Sequence, residues 1–114
     1  HVALGGQAEE SQRFFDAMNE YGVEYDIIGQ SYYPEWHGTL EELEANTNAL
    51  VLKYNKPLIV VEYRDHYLDI ERIVSSLPNG LGRGTFIWEA TSPQWGKLFD
   101  ESGATTEAIR AYNR

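Results

Sequence analysis

The 114-residue chain carries nine Lys and Arg against eighteen Asp and Glu, a formal net charge of -9, with 42% hydrophobic and 13% aromatic residues. That balance fits one folded domain, residues 1–114, and repulsion disfavours nucleic acid and anionic membrane surfaces as partners. The absence of cysteine excludes disulfides and thiolate metal sites, and no apolar run approaches the roughly 20 residues of a membrane span. The first residues, HVALGGQAEE, lack the basic and apolar blocks of a signal peptide, so no export signal is expected within this sequence.

His1 to Gly6 is apolar and then glycine-rich, which predicts the carboxyl end of a strand running into a loop. From Ala8 a helical pattern follows, with Phe14, Phe15, Met18 and Tyr21 on one face, Glu9 and Glu10 in the first turn, and Gly22 as a stop. Tyr25 to Gln30 reads as a strand that runs straight into an aromatic loop, Ser31 to Gly38. Thr39 with Glu42 three residues on makes a capping box, and Leu40, Leu43, Thr47, Leu50 and Tyr54 recur at helical spacing, which predicts a helix to Tyr54. In KPLIVVEY, Leu58, Ile59, Val60 and Val61 show no polar alternation, the pattern of a parallel strand covered on both faces, here ending in Glu62. After a short loop, the stripe of Ile70, Ile73, Val74 and Leu77 predicts a helix closed by Pro78, Asn79 and Gly80. NGLGRGT reads as a flexible turn into a fourth strand, Thr85 to Trp88, and Thr106 to Tyr112 as a last helix. Strands alternating with helices in this way mean βαβ units and a parallel sheet, either a small doubly wound open sheet or part of a (β/α)8 barrel.

Glu62, the Ser31 to His37 loop, and Trp88 with Glu89 each follow a strand, so they share the rim where ligands of parallel sheets collect. A carboxylate, several aromatic platforms and a few hydroxyls on one rim suit a neutral, hydroxyl-rich ligand, whose apolar faces stack on rings while its hydroxyls donate to carboxylates. Position alone leaves Glu62 equally open to being a carboxylate satisfied by backbone or Arg, and Trp36 or Trp88 taken singly is more often packing. His1, His37 and His66 lack metal-ligand spacing, so no metal and no other cofactor is expected. Gly80, Gly82 and Gly84 precede a strand instead of following one, and Gly5 with Gly6 alone makes no nucleotide-binding turn, so a phosphate cradle is not expected either.

The three blocks YDIIGQSYYPEWHGTLEELEANTNAL, KPLIVVEY and GTFIWEA, in that order and spacing, resemble glycoside hydrolase family 53, the endo-β-1,4-galactanases that cut the galactan of plant cell-wall arabinogalactan. The resemblance implies a retaining hydrolase on a (β/α)8 barrel whose two catalytic glutamates follow strands four and seven. The chain is then a (βα)4 half of a TIM barrel, strands five to eight, with a parallel sheet and outer helices. By the same resemblance Glu62 is the nucleophile and Trp88 lines the subsite of bond cleavage with Glu89 beside it, while Tyr32, Tyr33, Trp36 and His37 orient the sugar and the nucleophile. The implied partner is a β-linked polysaccharide or oligosaccharide, and the implied location is extracellular or periplasmic. The calcium that some galactanases hold in a long loop after the nucleophile strand is not expected, because Arg64 to Asp69 is brief. Ala90 stands where many relatives have proline.

Retaining hydrolysis needs two carboxyl groups about 5 to 5.5 Å apart, and the family's acid/base glutamate belongs to a strand that would precede His1. Half a barrel leaves two open edges and apolar inner faces, so a homodimer completing a barrel is expected, its two Glu62 carboxylates sharing one rim. Glu89 and Asp65 are other candidates for the acid. The alternative is a catalytically impaired barrel fragment that only binds β-linked polysaccharide.

Overall fold

The structure, a computed structural model, describes residues 1–112. In chain order its elements are helix α1 (Ala8–Glu20), strand β1 (Ile28–Ser31), the one-turn helix α2 (Pro34–His37), helix α3 (Leu40–Tyr54), strand β2 (Leu58–Glu62), helix α4 (Tyr67–Ser75), a 3-10 turn (Pro78–Gly80), strand β3 (Gly82–Thr85) and a second 3-10 segment (Glu107–Tyr112). Among the described residues the strands form one parallel sheet in the order β1-β2-β3, and Val2 adds a parallel bridge to Gln30 outside β1. The strand end expected within His1 to Gly6 is therefore present as a single bridge, held by Val2 N–H on Gly29 O at 3.0 Å and Ser31 N–H on Val2 O at 2.9 Å.

The capping box of α3 forms as its residues predict. Glu42 N–H donates to Thr39 Oγ1 at 3.2 Å, and Thr39 N–H returns a bond to Glu42 Oε2 at 2.7 Å, so two otherwise unpaired donors at the helix start are satisfied. The buried side of α3, Leu43, Leu50 and Val51, meets Phe15 of α1, Ile70, Ile73 and Val74 of α4, and Ile28, Leu58 and Val60 of the sheet in one apolar core. Burying these side chains supplies most of the driving force, at about 25 cal/mol per Å² of apolar surface removed from water.

Three expectations are corrected. The last strand is β3, Gly82–Thr85, not Thr85 to Trp88: a Cβ on Gly82 would fall 1.7 Å from Val74 O, so only glycine lets the strand lie this close to the end of α4. The glycine-rich stretch read as a turn is thus the strand itself, and beyond it pairing with β2 continues irregularly through Phe86 N–H on Val60 O at 2.8 Å and Trp88 N–H on Tyr63 O at 2.7 Å. Second, β2 is covered fully on one face only. Leu58 and Val60 are buried toward the helices, whereas Ile59 and Val61 on the opposite face are half-buried. Third, the terminal helix is a 3-10 segment, tied to the sheet where Tyr63 Oη meets both Thr85 Oγ1 and Tyr112 Oη.

Candidate active site

β2 is the central strand, and Glu62 is its last residue. Ser31 of β1 lies opposite Glu62 in the ladder, after a register shift between Gln30 and Ser31, and Tyr32 N–H donates to Glu62 O at 2.8 Å. Successive side chains of extended backbone point to opposite faces. Ser31 and Tyr33 accordingly reach the same carboxylate: Tyr33 Oη donates to Glu62 Oε1 at 2.7 Å and Ser31 Oγ to Oε2 at 3.3 Å. His1 Nε2 stands 2.8 Å from Ser31 Oγ and 4.0 Å from Glu62 Oε2. Tyr32, between the two, turns the other way into the core and donates its hydroxyl to Gly38 O at 3.0 Å.

The loop that carries Tyr33 is built from its own sequence. Pro34 opens α2 with its ring-fixed φ, and Tyr33 before it is extended at φ -135°, as a residue preceding proline prefers. Tyr33 N–H donates to Nδ1 of buried His37 at 3.0 Å, which requires that nitrogen to be unprotonated. Burial lowers the His37 pKa, opposed by its bond to the Ser31 backbone and by the charges of Glu62 and Glu35, so the neutral acceptor form is favoured. Burial is also the first cause that raises the Tyr33 pKa, followed by its bond to Glu62; the phenol stays a donor. On the role that the family resemblance implies for Glu62, Tyr33→Phe is expected to lower turnover roughly 10- to 100-fold, since a hydrogen bond to a charged group is worth about 1.5–3 kcal/mol, with kcat on an aryl β-galactoside as the measurement.

Glu62 forms the floor of a cleft of about 240 Å³ whose other lining residues are Tyr33, Trp36, Arg64, Trp88 and Trp95. Trp36, Trp88 and Trp95 are 66%, 46% and 43% exposed, rings turned to solvent where packing alone would bury them. Of the residues singled out in the sequence, the structure brings Glu62, Tyr33, Trp36 and Trp88 together around this cleft. Tyr32 and His37 support it from behind, and Glu89, exposed at φ 45°, lies outside the lining, though its charge helps raise the Tyr33 pKa. Asp65 bridges Arg64 Nε at 3.4 Å and Lys97 Nζ at 3.3 Å. Sequence reasoning missed Ser31 as a partner of Glu62, Arg64 and Trp95. Arg64 could have been found from its place two residues beyond Glu62 on the same rim, and Trp95 from its place in the loop after the last strand.

Among the described residues no group of three or more His, Asp or Glu side chains comes together in a way that could hold a metal ion. The described helices include none long and apolar enough to cross a membrane.

The architecture matches solved barrels closely. An Ignisphaera aggregans GH53 catalytic domain superposes with a TM-score of 0.82 over 95% of this chain and 44% of its own, at 22% identity. A structure from a study of two fungal β-1,4-galactanases gives 0.83 over 100% and 46%, at 18% identity. A parallel sheet with outer helices that follows these domains so far is a βα-barrel fold of the TIM type. The sequence comparisons narrow the class. The model of glycosyl hydrolase family 53 matches residues 1–71, a span that includes Glu62 and its hydrogen-bond partners Ser31 and Tyr33. An uncharacterised protein from the bgaB 5' region of Niallia circulans is 36% identical over 83% of this chain and 34% of its own length. The endo-β-1,4-galactanase of Bacillus subtilis strain 168 is 38% identical over 41% of this chain and 11% of its own. The arabinogalactan endo-β-1,4-galactanase of Cellvibrio japonicus strain Ueda107 is 39% identical over 54% and 16%. The chain belongs to glycosyl hydrolase family 53, and it spans less than half the length of each of these relatives.

Proposed function

We propose that this rim binds a β-1,4-linked galactan chain and that Glu62 is the nucleophile of its retaining hydrolysis. The observation that carries the reading is the Tyr33 hydroxyl fixed 2.7 Å from a carboxylate that forms the floor of an aromatic cleft. A nucleophilic carboxylate must be aimed at the anomeric carbon while sugar rings stack on flat apolar walls, and the Tyr33 hydroxyl on Glu62 with the exposed Trp rings supports both. Galactan is the substrate named for the Bacillus subtilis and Cellvibrio japonicus relatives, which supports the choice of sugar. A backbone hydrogen bond and then the Arg64 guanidinium hold the Glu35 carboxyl below the usual range, which makes it a poor proton donor, and Asp65 is engaged by Arg64 and Lys97.

We therefore place the acid/base carboxyl on a second copy of the chain, the free edge of β3 in each copy pairing with the Val2 segment of the other around a twofold axis. Support comes from the apolar inner face, where Ile27 and Phe86 are exposed and Ile59 and Val61 half-buried. Sizing with light scattering at micromolar concentration is expected to give a dimer, and a monomer overturns the pairing without touching the role of Glu62. For the reaction itself, β-1,4-galactan is expected to release reducing ends whose β-anomer appears first by proton NMR. The α-anomer appearing first overturns retention. Retardation in a galactan affinity gel with no sugar released reduces the function to binding.

A further inference from the structure

Arg64 touches all three loops of the rim at once. Its guanidinium carbon lies 5.8 Å from the centre of the Tyr33 ring and 5.3 Å from that of Trp95. Nη2 donates to Glu35 Oε1, one residue from Trp36 on α2, and Nε lies 3.4 Å from Asp65 Oδ2 in the loop after β2. Asp65 Oδ1 in turn holds Lys97 Nζ at 3.3 Å, two residues beyond Trp95. One cation thus joins the loop after β1, the loop after β2 and the long connection after β3.

That last connection has little structure of its own to aim Trp95. Between β3 and Glu107 it forms turns and one antiparallel bridge, Phe99 with Thr105. Near Trp95 its ties are Trp95 N–H on Ser92 Oγ at 3.3 Å, Lys97 N–H on Ser92 O at 2.9 Å and the Tyr67 hydroxyl on Gly96 O at 2.8 Å. These fix the path of the backbone and leave the ring to be set by what it packs against. A guanidinium suits that position because it can lie against aromatic rings while donating in its own plane; here its carbon lies within cation–π range of both rings while Nη2 donates to Glu35. The Arg64 side chain is only 20% exposed, so water competes weakly for it.

We propose that Arg64 is a positioning residue that sets the width of the cleft by holding Trp95 and Tyr33 at one separation, and through that width the affinity for an uncharged β-linked sugar chain; the choice of sugar rests on the reading above. Arg64 itself takes no part in bond cleavage, and its charge is consumed by Glu35 and Asp65 instead of being offered to a ligand.

The test uses Arg64→Met, which keeps an apolar stem, and Arg64→Lys, which keeps the charge without the stacking plane. In the protein without sugar, acrylamide quenching of tryptophan fluorescence is expected to rise in Arg64→Met and less in Arg64→Lys, the difference vanishing in a Trp95→Phe background. With β-1,4-galacto-oligosaccharide, KM is expected to rise about tenfold in Arg64→Met, the loss of one desolvated cation–π contact, and kcat to fall by less than that, because Tyr33 keeps its backbone bond to His37 and its hydroxyl on Glu62. Unchanged quenching overturns the clamp, as does a fall in kcat at constant KM, which would make Arg64 a partner of the chemistry. If the unaltered chain neither binds nor cleaves galactan, the functional reading fails, and the quenching comparison still decides the clamp.

Discussion

Glu62→Gln is expected to lower hydrolysis of β-1,4-galactan by roughly 10³-fold or more while leaving retardation in a galactan gel close to that of the unaltered chain. The amide has the shape of the carboxylate and still presents an oxygen to the Tyr33 hydroxyl, so the contact now 2.7 Å long is kept. On the other side Ser31, whose hydroxyl now donates to Oε2, can rotate to accept from the new amide nitrogen. The aromatic walls, Trp36, Trp88 and Trp95, are untouched. On the proposed mechanism, what disappears is the lone pair that attacks the anomeric carbon and the negative charge that stabilises the oxocarbenium-like transition state. Binding and turnover must therefore separate. The measurement is kcat/KM by reducing-sugar release beside mobility in the gel, and retained turnover would remove Glu62 from the chemistry. A smaller variant, Glu62→Gly, adds a positive signature: with azide supplied, the anion enters from the face the carboxylate has vacated and the product is the α-galactosyl azide.

The parts of this molecule legible in its sequence are those whose causes are local. α3 begins where Thr39 and Glu42 satisfy each other and repeats its apolar residues at helical spacing, so its limits follow from the residues within it. β2 is an unbroken apolar run closed by one carboxylate, and the place of Glu62 on the rim follows from that alone. What escaped reading depends on distant neighbours. Glycines in NGLGRGT have poor strand propensity, and β3 forms there because the end of α4 leaves no room for a side chain at Gly82. Tyr32 and Tyr33 look alike in the sequence, yet one is buried in the core and the other holds Glu62, a consequence of where β1 shifts register. The meeting of Arg64 with Trp95 spans a connection without regular structure, so no periodicity announces it. Family resemblance reached Glu62 and the aromatic loop, which the fold brings to one cleft. It did not reach the clamp between the loops.

The same dependence on distant neighbours makes Gly6 decisive, although it lies outside the cleft and carries no chemistry. Gly6→Ala is expected to cost about 3 kcal/mol of stability, the upper part of the range for overpacking, and up to roughly 100-fold in turnover, the effect of misplacing a positioned group by an ångström. A Cβ at Gly6 would lie 2.0 Å from His37 O and 3.2 Å from Glu42 Cβ, so the obstacle is backbone and cannot rotate away. Gly5 is pinned as well, its N–H on Ser31 O at 3.0 Å and its carbonyl accepting from Asn46 Nδ2 at 2.8 Å, which prevents the glycine segment from retreating. The strain must therefore pass into the loop after β1. Displacing His37 withdraws Nδ1 from the Tyr33 N–H, and Tyr33 then loses its aim on Glu62. Thermal unfolding and kcat on an aryl β-galactoside give the two numbers, and a double variant gives the route. If the damage travels through Tyr33, adding Tyr33→Phe to Gly6→Ala costs far less than it does alone, because both remove one contact. Full additivity would place the damage elsewhere in the site, and an unchanged melting temperature would mean that the glycine segment and the loop do not touch.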